Sequence, residues 1–104
     1  MDNVVAIVQP FELMSVAEQK YVLAEYAKEA GVTIDQFVGE DGILTAETPC
    51  FKTLMQSIST GHTSRLLLID GIAPKLPGDL LDRCEARGGK VNLVDSHKGL
   101  RLAG

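Results

Sequence analysis

The chain has little of what specialised architectures require. Its 104 residues include two cysteines, Cys50 and Cys84, far apart in sequence. Two thiols without neighbouring ligands suit neither a disulfide framework nor a zinc site, which takes about four ligands. His62 and His97 are equally isolated, so no metal is expected. No apolar run approaches the ~20 residues that cross a bilayer. The start, Met1-Asp2-Asn3, is acidic and leads only into the short run Val4–Val8, unlike a signal peptide. A cytoplasmic chain without membrane contact is the expectation. The phosphate-cradling glycine signatures are missing too. Gly39-x-x-Gly42 stands alone, and the first strand-to-helix turn reads Pro10-Phe11-Glu12, so no dinucleotide cofactor is expected.

Positive charge is scarce where it would matter. The formal net charge is −4, which argues against DNA binding by this chain alone, since such binding rests on neutralising phosphates. The charge is also uneven. Residues 1–50 hold two bases, Lys20 and Lys28, against nine acids, whereas residues 51–104 hold eight bases against five acids. No arginine precedes Arg65.

What is present is an ordinary globular composition, 45% hydrophobic and 23% charged, which excludes disorder and coiled coil. Asn3–Val8 is a β-branched run that reads as a strand buried on both faces. Ser15-Val16-Ala17-Glu18 is a capping box opening a helix. Val16, Val22, Leu23, Tyr26, Ala27 and Ala30 give that helix its apolar face, and Gly31 ends it. Val32–Val38 reads as a second strand, broken by Gly39–Gly42. Thr48-Pro49 starts a second helix, a threonine cap with proline at the first helical position, with Phe51, Leu54, Met55 and Ile58 as its inner face and Gly61 as its close. Arg65–Ile69 reads as a central strand, broken by Asp70-Gly71. Pro74–Gly78 is a loop, Asp79 caps a helix over Leu80–Arg87, and Lys90–Val94 is the last strand. The order β-α-β-α-β-α-β implies an α/β fold in three layers, a mostly parallel four-stranded sheet with helices on both faces. One domain spans residues 1–95, and 96–104 form a basic tail in which Leu100 and Leu102 are candidates for pairing with a sheet edge.

Ligands of open α/β sheets bind beyond the carboxyl ends of the strands. The polar side chains predicted there are Gln9, Glu40, Asp41, Asp70, Asp95 and Ser96. Asp70 follows the most buried strand, and reads either as a site residue or as a turn former in Asp-Gly. Glu40 and Asp41 with Asp70 make a candidate ligand site of strand-end carboxylates, unless they are solvated loop charges. Cys50 falls in the first turn of a helix and is expected to be buried and inert, as free cysteines mostly are. Ser15 is explained by capping. No Ser-His-Asp or Cys-His constellation is supported.

Taken together, SVAEQKYVLAEYAKEAG over residues 15–31, with Gln19 at a characteristic glutamine, resembles the first helix of the serine recombinases, the resolvase/invertase family. Thr33–Val38 with GEDG, TPCFKTLMQSISTG, RLLLID and DLLDRCEARGGKVNLVD follow the order of that family's N-terminal domain. The resemblance covers residues 4–95 and implies strand order 2-1-3-4. It also implies where chemistry is missing. The family's Tyr-x-Arg-Val-Ser places fall on Ala6, Val8 and Pro10, so proline stands where a serine would attack DNA phosphate. The arginine of its Asp-Arg-Pro element falls on Thr48. In its Leu-Asp-Arg-Leu-x-Arg stretch Asp70 is kept, but Gly71 and Pro74 replace both arginines. Those arginines would hold the phosphate and stabilise its developing charge. The resemblance therefore implies a catalytically inactive domain, with no catalytic residue, that pairs with itself or with an active recombinase. Two other readings stand beside it. One is a small ligand-binding or enzymatic domain using the strand-end carboxylates. The other is an unrelated doubly wound interaction module, which a first strand at the sheet edge would favour.

Overall fold

The computed structural model describes residues 3–40 and 42–95. The expected tail 96–104, with Ser96, His97, Leu100 and Leu102, lies outside the described residues, as does Asp41. The strands are β1 (Asn3–Ile7), β2 (Gln36–Val38), β3 (Thr63–Ile69) and β4 (Lys90–Val94), and the helices are α1 (Val16–Ala30), α2 (Pro49–Ser59) and α3 (Leu80–Ala86). The sheet has the order β2-β1-β3-β4 and every pairing is parallel. This is the three-layer α/β architecture expected, with β1 inside.

Alternation along the two central strands creates two cores, because successive side chains leave opposite faces of a sheet. Val4, Ala6, Val8, Leu67 and Ile69 meet Val22, Leu23 and Ala27 of α1 on one face. Val5, Ile7, Leu66 and Leu68 meet Phe51, Leu54 and Ile58 of α2 and Leu80 and Cys84 of α3 on the other. Leu66–Ile69 are wholly buried. Each such side chain contributes about 2 kcal/mol, which is why this run takes a central place.

Helix α1 forms as its ends require. The Glu18 N–H donates to Ser15 Oγ at 3.1 Å, and the Ser15 N–H donates to Glu18 Oε1 at 3.2 Å. Gly31, at φ 73°, closes it. Val22, Leu23 and Ala27 are buried, but Ala30, in the last turn, is exposed.

Several boundaries differ from expectation. β2 has three residues, not seven. The Val32 N–H is spent on Ala27 O at 2.8 Å, extending the α1 cap, and the Asp35 N–H reaches Val4 O at 2.9 Å before regular pairing begins. Residues 70–75 form a short 3-10 helix rather than a plain break and loop, anchored by the buried Ile72. Thr48 starts α2 without a side-chain cap; its Oγ1 instead accepts the Thr45 N–H at 2.9 Å. Asp79 does not cap α3 with its side chain either. Its φ and ψ of −112° and 37° depart from the extended cap conformation, and its carboxylate lies 3.6 Å from Arg83.

Candidate functional site

The carboxyl ends of the strands gather three loops, and the β1–α1 segment runs between the other two. β1 hands over to Val8, whose N–H still donates to Val38 O at 2.9 Å. Gln9 follows, 2% exposed. Its Nε2 donates to Val8 O at 2.7 Å and approaches Gly42 O at 3.2 Å and Gly39 O at 3.4 Å, while its Oε1 accepts the Leu44 N–H at 2.7 Å. One amide thus ties the β2–α2 loop to the end of β1. Gly39 is required for this approach: its φ is 98°, and a Cβ there would collide with the Val8 carbonyl oxygen and the Gln9 amide.

Gln19 completes the arrangement from α1. It is wholly buried. Its Oε1 accepts the Gln9 N–H at 3.1 Å, and its Nε2 donates to Gln9 O at 2.6 Å and Met14 O at 3.0 Å. The two glutamines together satisfy backbone groups that no strand or helix would pair. That satisfaction matters, since each buried orphan costs about 1–3 kcal/mol. Gln9 was expected as a rim residue with chemical capacity; in the fold its amide is committed to structure.

On the other side Phe11 lies against the 3-10 helix. A Cβ on Gly71 would stand 2.6 Å from Phe11 Cζ, so the ring occupies the space above Gly71. Lys75 Nζ sits 5.6 Å from the centre of the same ring. Pro10 and Pro74 are exposed beside it, Asp70 is exposed at the first position of the 3-10 helix, and Val8 is buried under α1. Thr48 lies at the far side, on a cleft of about 460 Å³ shared with Phe37, Glu40, Ile43 and Cys50.

The strand-end carboxylates are not brought together. Glu40 follows β2 and pairs with Lys20 at 3.3 Å, both side chains well exposed. Lys20 Nζ also stands 5.1 Å from the centre of the Phe37 ring. Asp70 follows β3. With β1 between them, the ends of β2 and β3 are roughly 10 Å apart, two strand spacings. Asp95 is exposed beyond β4.

Cys50 corrects an expectation: it is exposed, at the second position of α2 on the cleft, while Cys84 is buried. The outward-facing helix position, not the residue type, decides this. Burial pushes the Cys84 thiol up, and Glu85 adds to the shift. Among the described residues no three His, Cys, Asp or Glu side chains form a group able to hold a metal, and no helix is long and apolar enough to cross a membrane.

The sequence pointed to Gln19 through its helix, but not to the Gln9–Gln19 pair or to Phe11 over Gly71. A polar residue closing a wholly apolar strand was the available signal for Gln9. Comparison with family models, curated proteins and solved structures returned no match for this chain.

Proposed function

We propose that the chain is a serine-recombinase-like domain without catalytic activity, serving as an interaction or regulatory module in DNA recombination or mobile-element biology. The observation that carries this reading is the content of the strand ends. Pro10 stands at the expected nucleophile place, and Phe11 fills the space above Gly71, where the resemblance would put a phosphate-holding arginine. Proline offers no oxygen for a phosphoester bond. An aromatic ring over glycine offers no donors to an anion. The order β2-β1-β3-β4, with the first strand inside, agrees with the resemblance, and it is an order that other doubly wound sheets share.

In this reading the partner is a second copy or an active recombinase, and the setting is the cytoplasm, where DNA is handled. Incubation with supercoiled DNA carrying recombination sites, then denaturation, is expected to leave no covalent protein–DNA adduct. An adduct would overturn the reading. Co-purification of an active recombinase with the tagged chain would support it.

The alternative, a ligand-binding or enzymatic domain, is favoured by the cleft beside Glu40. It needs Glu40 and Asp70 to act on one ligand. Opposite sides of β1 are a poor arrangement for that. A ligand whose binding is lost equally in Glu40→Gln and Asp70→Asn would favour this alternative.

A further inference from the structure

The amino ends of the strands carry a second concavity, on the α1 side of the sheet. It is an open cleft of about 530 Å³ lined by Val32, Thr33, Asp35, Arg65, Gly88 and Lys90, among others. Its floor is set by strand register. Val4 pairs with Arg65, and Arg65 pairs with Lys90. Val4 belongs to the α1-side core, and residues in register on parallel strands share a face. Arg65 and Lys90 therefore stand side by side on that face. Asn92, in register with the core residue Leu67, shares it and accepts a hydrogen bond from Arg65 Nη1 at 2.9 Å.

Two cations placed directly across a strand pair repel each other and destabilise the sheet. Among the described residues, neither has a carboxylate within ion-pair distance. The one acid on the cleft, Asp35, accepts the Val4 N–H on Oδ2 at 2.8 Å. The C-terminal carbonyls of α1 at Ala27 and Lys28 are tied by the Gly31 cap. Arg65 uses one donor on Asn92, which anchors one of its terminal nitrogens, and keeps the rest of its five for another partner. A guanidinium held in place beside an ammonium is how oxyanions are bound, one supplying a two-pronged contact and the other a point charge.

We infer that this cleft binds the phosphate group of a small, nucleotide-sized ligand. The cleft volume lies in the range of small-molecule sites, about 300–1,000 Å³. A nucleic acid backbone is disfavoured, because the chain's net charge is −4 and holding an extended polyanion rests on neutralising many phosphates. The site is independent of the recombinase-like reading and lies at the opposite end of the sheet from it.

The test is an NMR titration of the intact chain with inorganic phosphate, pyrophosphate, a mononucleotide and a short DNA duplex, against potassium chloride at matched ionic strength. Saturable shifts of the Arg65 Nε–H and of the Gly88 and Lys90 amides are expected with pyrophosphate and the mononucleotide, and not with chloride. Arg65→Lys is expected to weaken both about tenfold, because the planar fork is lost while the charge stays. Lys90→Gln, an exposed change that leaves the fold intact, should weaken them several-fold. Absence of shifts, equal shifts with chloride, or unchanged affinity in both variants would overturn the inference. Binding of the duplex but not of the mononucleotide would overturn it as well, in favour of a nucleic-acid contact.

Discussion

At the carboxyl ends of the strands, Gln9 and Gln19 spend their amides on backbone groups, and Phe11 fills the space above Gly71. At the amino ends, Arg65 and Lys90 stand together with only Asn92 holding one of them. The fold class makes the first end the usual ligand edge, yet that is the end committed to stability. A pair of like charges in register lies at the other. The contrast teaches that a fold names where sites commonly sit, while particular side chains decide whether one is there.

The contrast has measurable consequences. Each end carries one cysteine: Cys50 faces the carboxyl-end cleft, and Cys84 packs against Gly89, next to Lys90. A disulfide reagent on the native protein is expected to modify Cys50 at once. Cys84 should react at least about 1,000-fold more slowly, because a marginally stable domain opens only that rarely and the raised thiol pKa keeps the nucleophile protonated. Equal rates would show that the inner face of α3 is open.

Gly39→Ala should cost about 3 kcal/mol or more in urea unfolding, combining a left-handed backbone with a collision at Val8 and Gln9. Gln19→Leu keeps the size but orphans the Gln9 backbone and the Met14 carbonyl. About 2–3 kcal/mol should be lost, and a change below about 0.5 kcal/mol would show that the glutamine pair is not what holds this edge. Ser15→Ala removes the cap of the same loop's helix and should cost about 1 kcal/mol. Lys90→Gln, at the opposite end, should move stability by no more than about 0.5 kcal/mol, and upward, since it relieves a like-charge pair. A clear loss there would mean that Lys90 serves the sheet and not a ligand.

Much of the architecture was legible because its signals are local. The Ser15–Glu18 box and Gly31 set α1 within a few residues of each end. The unbroken Leu66–Ile69 run announced a strand buried on both faces. β2 was overread, since a β-branched stretch does not reveal that Val32 is already spent on the helix cap. Thr48 and Asp79 were read as side-chain caps from residue type. Their hydroxyl and carboxylate go instead to Thr45 and Arg83. Glu40 and Asp70 looked like one candidate site because both follow strands, but only the strand order tells that β1 separates them.

The sequence by itself determined the alternation of strands and helices, the ends of α1 and the two-faced character of the central strands. These depend on periodicity and on hydrogen bonds that reach only three or four residues. The tertiary structure decided what meets what: Gln9 with Leu44, Phe11 with Gly71, Arg65 with Lys90 and Asn92. Those encounters join positions about 25 to 60 apart. They arise from parallel register and loop packing, in which a shift of one residue would send a side chain to the other face of the sheet.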